Sequence, residues 1–162
     1  MSAQPPGRDA APESPEHTDD PEQIQDPEPL QESAGLSILG NTVRHAVDHV
    51  ECFPAPPGCS RVRFSSEELS SVCPVTGQPD LSSIVIEYGP DRLCIESKSL
   101  KLYLWSFRDR AVFAEALAAE VANEVMTTVG PRWVIVTVTQ RPRGGIETQT
   151  TSEMGDLPVR PA

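Results

Sequence analysis

Lysine is nearly missing from this sequence: of 13 basic residues only Lys98 and Lys101 are lysines, the remainder being arginine. With a formal net charge of −11, the chain has no basic face that would neutralise a run of phosphates, which argues against direct nucleic-acid binding. No apolar run approaches the roughly 20 residues that span a bilayer. The first residues also lack the basic and apolar regions of a signal peptide, so a cytoplasmic protein without membrane contact is expected. The four cysteines, Cys52, Cys59, Cys73 and Cys94, form no CxxC pair and no Cys/His group with zinc-finger spacing. Free thiols are therefore expected in a reducing compartment, with no metal site. A Gly-x-Gly-x-x-Gly element is missing too, so a dinucleotide, if bound, is not held in the Rossmann manner. No internal repeat is present, which argues against solenoids and propellers.

What is present divides unevenly. Residues 1–34 hold nine acids against one base, Arg8, and seven of the 17 prolines, so −8 of the −11 resides there. Such a segment has too little apolar surface to fold and reads as a disordered acidic tail. Residues 35–147 form the expected domain, and 148–162 read as a flexible polar C-terminal tail. Within the domain, 42–53 reads as a strand and turn before the Pro-Ala-Pro-Pro-Gly break, and 60–64 alternates as a half-buried strand. The CPVTGQPD stretch, 73–80, has the composition of a loop. Strands at 82–88 and 92–98 flank Gly89-Pro90-Asp91, a hairpin signal. Ser99 is the expected cap of a short helix through Phe107. Asp109 is the expected cap of a second helix, from Arg110 to about Val129, with Phe113, Ala116, Leu117, Val121 and Val125 as its apolar stripe. Gly130-Pro131 stops it, and a last strand runs from Trp133 to Thr139. The class is α+β with an antiparallel sheet.

Several residues could carry chemistry. Cys73 and Asp80 sit in one turn-rich loop, an arrangement that can hold a thiol nucleophile and a proton donor around a substrate; a buried inert thiol and an Asx turn are the plain alternative. The paired Lys98 and Lys101 offer compact ammonium groups for phosphates, or simply an exposed basic helix start. Glu96 and Glu115 could accept N–H donors of a purine-like ring in a dry pocket, or stay solvated. Arg143-Gly144-Gly145 could hold a phosphate, or be a mobile loop.

Taken together, CPVTGQPD, ESKSLKLYLWSF and RPRGGI, in this order, resemble the 7-cyano-7-deazaguanine reductases of queuosine biosynthesis in their short, single-module form. The match runs from about Leu36 to Ile146. It implies a tunnelling fold, an antiparallel sheet with two consecutive helices on one face, assembling into a ring or barrel homo-oligomer with intersubunit active sites. It implies Cys73 as the nucleophile that forms a thioimide with the nitrile of a deazapurine substrate, and Asp80 as the proton donor. Ile95, Glu96, Ser97 and Glu115 would bind substrate, and Ser97, Lys98, Lys101, Arg143 and Gly144 would face NADPH, used twice. Ala114 stands where many members have histidine before the helix glutamate. Among alternatives, a zinc-dependent GTP cyclohydrolase-like enzyme needs close Cys and His ligands, while His17, His45 and His49 are distant from Cys73 in sequence. A thiol redox protein would use Cys94 as the resolving partner of Cys73.

Overall fold

The computed structural model describes Met1 and residues 36–159; the acidic tail expected over 1–34 lies outside them apart from Met1. The element order is β1 (Cys52–Pro54), β2 (Val62–Val72), β3 (Pro79–Gly89), β4 (Leu93–Ile95), α1 (Ser97–Trp105), α2 (Ala114–Val129), β5 (Trp133–Arg143) and β6 (Ile146–Gly155). Four strands form an antiparallel sheet in the order β2-β3-β5-β6, and β1 pairs with β4 in a small second sheet. This is the expected α+β class.

Period-two alternation builds the main sheet. Ile84, Ile86 and Tyr88 of β3 point the same way as Val134, Val136 and Val138 of β5, and all are buried in one cluster with Leu100 and Tyr103 of α1 and Leu117, Val121 and Val125 of α2. Both helices therefore lie on one face. Each fully buried aliphatic side chain of this kind contributes about 1.5–3 kcal/mol. The Tyr88 hydroxyl accepts the Ile95 N–H at 2.9 Å, tying β4 to the core. Gly130 ends α2 in the left-handed conformation, φ 59°, that glycine adopts at little cost.

Several sequence expectations fail for identifiable reasons. The strand read over 42–53 shrinks to Cys52–Pro54, because the polar run before it has no strand partner. The hairpin expected at Gly89-Pro90-Asp91 does not form: β5 occupies the free side of β3, and β4 pairs with β1. The carboxylate of Glu96, and not Ser99, caps α1. Helix α2 starts at Ala114 behind Phe113, with no side-chain cap from Asp109. Phe113 and Ala116, two members of the expected stripe, are exposed; Ala114, Ala118 and Ala122 complete the buried one.

The largest correction concerns the C-terminus, since most of the expected flexible tail is strand β6, paired with β5 from Trp133↔Gly155 to Arg143↔Ile146. Its half-buried positions are Thr148, Thr150, Ser152 and Met154. An edge strand whose inward residues are mostly hydroxylated looks polar throughout, which hides its alternation from composition. Similarly, β2 extends well beyond 60–64. Val62 and Phe64 pack on the core, but past an irregularity between Ser66 and Leu69 the buried residues become Leu69 and Ser71. That bulge breaks the period-two signal.

Candidate active site

The bulge decides which way Cys73 points. A one-residue offset moves every later side chain to the opposite face. Ser71, opposite Asp80, thus turns inward with it. Cys73 follows two residues later in the same phase, its N–H donating to Gln78 O at 2.9 Å and prolonging the ladder. Cys73 and Asp80, expected in one loop, instead flank a hairpin turn as diagonal neighbours on the helix-bearing face. Asp80 belongs to the start of β3, which fixes it more firmly than a loop would.

The turn is built around the sulfur. Gly77, at φ +68°, lets its N–H return to Cys73 O at 2.9 Å. The Thr76 hydroxyl oxygen accepts the Gln78 N–H at 3.4 Å, which leaves its O–H free to donate to the thiol. The Cys73 thiol is held down from the ordinary 9.0 to about 7, first by the Thr76 hydroxyl, then by the Thr76 and Val75 N–H groups, then by the Arg143 guanidinium, with burial opposing them least. Cys73 is only 8 % exposed, covered by its own turn rather than by depth. A thiolate stabilised by donors and a cation is the reactive form of cysteine.

Arg143 reaches this point from the β5–β6 hairpin, whose two-residue turn places Gly144 and Gly145 at φ +59° and +82°, as a type I′ turn requires. Its Nη1 lies 2.7 Å from Asp80 Oδ1. The approach is electrostatic, for that oxygen is buried and accepts no directed hydrogen bond. Cys73, Asp80 and Arg143 are thus brought together.

The β4–α1 junction holds a second group. Ile95 and Glu96 are buried, and both Glu96 oxygens are occupied, accepting Lys98 N–H at 2.8 Å and Ser99 N–H at 2.7 Å. Lys98 Nζ donates to Ile38 O at 2.8 Å and also to Asn41 O. The buried carboxylate of Glu51, which the sequence did not single out, accepts from Ser37 N at 2.8 Å, Ser37 Oγ at 2.6 Å and Ile38 N at 3.1 Å. Burial pushes Glu51 upward, but the Ser37 and Ile38 donors and the charge of His49 outweigh it and keep its carboxyl below the usual range. Lys98 and Glu51 therefore pin the 37–41 segment over the start of α1. Ser97 and Lys101 are exposed and edge a cleft of about 660 Å³ between α1 and β2, lined also by Phe64, Ser70 and Trp105. That cleft, with an ammonium and a hydroxyl at its edge, suits part of a phosphorylated cofactor.

Glu115 stands in the first turn of α2. Val72 N–H donates to Arg110 O and Val112 N–H to Val72 O, at 2.9 and 3.2 Å, which brings this turn to the Cys73 end of the sheet. Glu115 is exposed and makes no hydrogen bond or ion pair with the described residues. A larger cleft of about 840 Å³, lined by His45, His49, Tyr103 and Glu124, contains none of the expected site residues. Among the described residues no three His, Cys, Asp or Glu group closely enough to share a metal ion. Cys94, the resolving partner required by thiol redox chemistry, is buried beside Tyr88 and Cys59, and burial raises its thiol. Thr76 also escaped the sequence reading; a hydroxyl three residues after cysteine in a Pro/Gly turn was the available signal.

Residues 79–158 match the family model described as QueF-like protein. The NADPH-dependent 7-cyano-7-deazaguanine reductase of Anaeromyxobacter sp. (strain Fw109-5) is 42 % identical over 106 residues, covering 65 % of this chain and 87 % of the relative. The chain belongs to the 7-cyano-7-deazaguanine reductase family. Another reductase of this name, from Granulibacter bethesdensis (strain ATCC BAA-1260 / CGDNIH1), is 37 % identical over 131 residues, or 77 % of this chain and 86 % of that one. Among solved structures, the crystal structure of the archaeosine synthase QueF-Like in its apo form aligns with a TM-score of 0.57 at 30 % identity, over 61 % of this chain and 97 % of that one. The match to the QueF-like model spans β3 to β6, the Arg143 hairpin included.

Proposed function

We propose that this chain reduces the nitrile of 7-cyano-7-deazaguanine to the aminomethyl group, at the expense of two NADPH, in queuosine biosynthesis. The observation that carries the reading is the Cys73 thiol, held at about 7 beside a buried aspartate. A thiolate adds to the electrophilic nitrile carbon, forming the C–S bond of a thioimide. The proton given up by the thiol ends on the nitrile nitrogen, and Asp80 is the group that hands it over. One NADPH, when bound, would supply a hydride to the thioimide carbon, after which the C–S bond breaks and the thiolate is restored; a second NADPH, taking the place of the spent cofactor, would supply the hydride that, with a proton from solvent, turns the imine into the amine.

The other residues bind and orient. Glu115 accepts N–H donors of the deazaguanine ring, with Ile95, Glu96 and Ser97 forming the pocket wall at the β4–α1 junction. Ser97, Lys101, Arg143 and Gly144 face the cofactor, and Lys98 contributes by holding the 37–41 segment. The exposed Glu115 and the separate location of the Ser97–Lys101 cleft support a site completed by a second subunit, in a ring or barrel homo-oligomer of tunnelling-fold subunits working in the cytoplasm. No helix among the described residues is long and apolar enough to cross a membrane.

Mixing the protein with 7-cyano-7-deazaguanine and NADPH tests the reading. Two NADPH consumed per amine formed is the expected result, with an adduct on Cys73 by intact mass spectrometry when NADPH is withheld. Absence of both adduct and turnover would refute it.

A further inference from the structure

We propose that Arg143 is a positioning residue for the nucleophile, its guanidinium bridging the Asp80 carboxylate and the Cys73 sulfur so that both are aligned before any cofactor binds. This rests on the nitrile-reductase reading for its chemistry, but the contacts are independent of that reading. Nη1 stands 2.7 Å from Asp80 Oδ1, and Asp80 is 3 % exposed whereas Arg143 is 41 % exposed. A buried carboxylate oxygen without a directed hydrogen bond depends on a nearby cation for its compensation.

The architecture explains why arginine serves here. Cys73 and Asp80 come from the β2–β3 hairpin and Arg143 from the β5–β6 hairpin. One planar guanidinium presents several donors in a fixed fork and can meet two acceptors at once, whereas a lysine ammonium is a point charge. Around Cys73 the groups in play are Thr76 and Val75 of its own turn and Arg143 across from it, and Asp80 is the anion that Arg143 meets. Arg110, whose segment is bonded to Val72, spends its guanidinium on Glu120. Nothing else described supplies a cation at this point.

The test compares wild type with Arg143→Gln, Arg143→Lys and Arg141→Gln, all without NADPH, so that cofactor affinity cannot enter. Iodoacetamide labelling of Cys73, followed by peptide mass spectrometry across pH, should show a midpoint near 7 in wild type. In Arg143→Gln the midpoint should rise and labelling at pH 7 should fall about 2- to 5-fold. Thioimide formation with 7-cyano-7-deazaguanine should slow by about 10-fold, since proton transfer also loses its alignment. Arg143→Lys should restore part of the labelling but little of the adduct rate, and Arg141→Gln should match wild type in both. If Arg143→Gln and Arg143→Lys keep the wild-type midpoint and adduct rate while NADPH titration alone weakens, Arg143 is a cofactor ligand and the proposal is wrong. Should Arg143→Gln fail to fold, the labelling-against-adduct split in Arg143→Lys decides. If wild type forms no adduct at all, the functional reading falls, and the labelling profiles still decide the role of Arg143.

Discussion

Replacing Thr76 by valine removes one hydroxyl and almost no volume, and it should be felt at the sulfur of Cys73. The Thr76 O–H is the foremost of the influences that hold the thiol down from 9.0 to about 7. Its loss should let the thiol rise back toward its ordinary value and lower the thiolate fraction at pH 7 from about one half. The sign is definite: a depressed thiol is ionised above its pKa, so the variant lags most near neutrality and catches up with wild type in alkali. Alkylation of Cys73 measured from pH 5.5 to pH 10 should therefore slow about 5-fold at pH 7 and converge near pH ~10. Thr76→Ser, which keeps the donor, should behave as wild type and so separates the hydroxyl from the shape of the turn. The bond from Gln78 N–H to Thr76 Oγ1, at 3.4 Å, is lost as well, so amide exchange at Gln78 should be followed in parallel. A Thr76→Val profile superimposable on wild type would show that the backbone N–H groups and Arg143 suffice.

Asp80→Asn keeps the shape but removes the transferable proton, and thioimide formation should fall on the order of 10²- to 10⁴-fold by intact mass kinetics. Lys98 and Lys101 should part company. Lys98→Met should speed amide exchange over 38–41, because its ammonium holds Ile38 O and Asn41 O, whereas Lys101→Met should weaken NADPH binding in a way that added salt mimics. Equal effects of the two on cofactor titration would contradict the assignment. Glu115→Gln in a Cys73→Ala background should lower affinity for the deazaguanine by about 30-fold in calorimetry, since one end of the amide presents a donor to ligand donors. Unchanged affinity would return Glu115 to the solvated helix face.

The chemical parts of the site were legible because they are local. A cysteine in a Pro/Gly turn, a lysine pair confined to ESKSLK and an Arg-Gly-Gly segment are each specified by neighbouring residues, and so are the Val- and Ile-rich strands β3 and β5. The order of strands, two helices and one further strand follows from the same periodicities, but β6 does not. Their spatial relations are set by contacts distant in sequence. Only the paired sheet shows that the extra residue in β2 turns Ser71 and Cys73 onto the face of Asp80, because register depends on the partner strand. Arg143 could be placed beside Asp80 only once β6 was recognised as a strand closing the hairpin, and its Thr and Ser residues gave no hydrophobic alternation to announce it. Glu96 and Lys98 looked like free charges for ligands; their engagement with helix N–H groups and the 37–41 carbonyls depends on burial and on a segment about 60 positions away. Residue type and local spacing thus determined which groups could react, while strand register and long-range burial decided which of them meet.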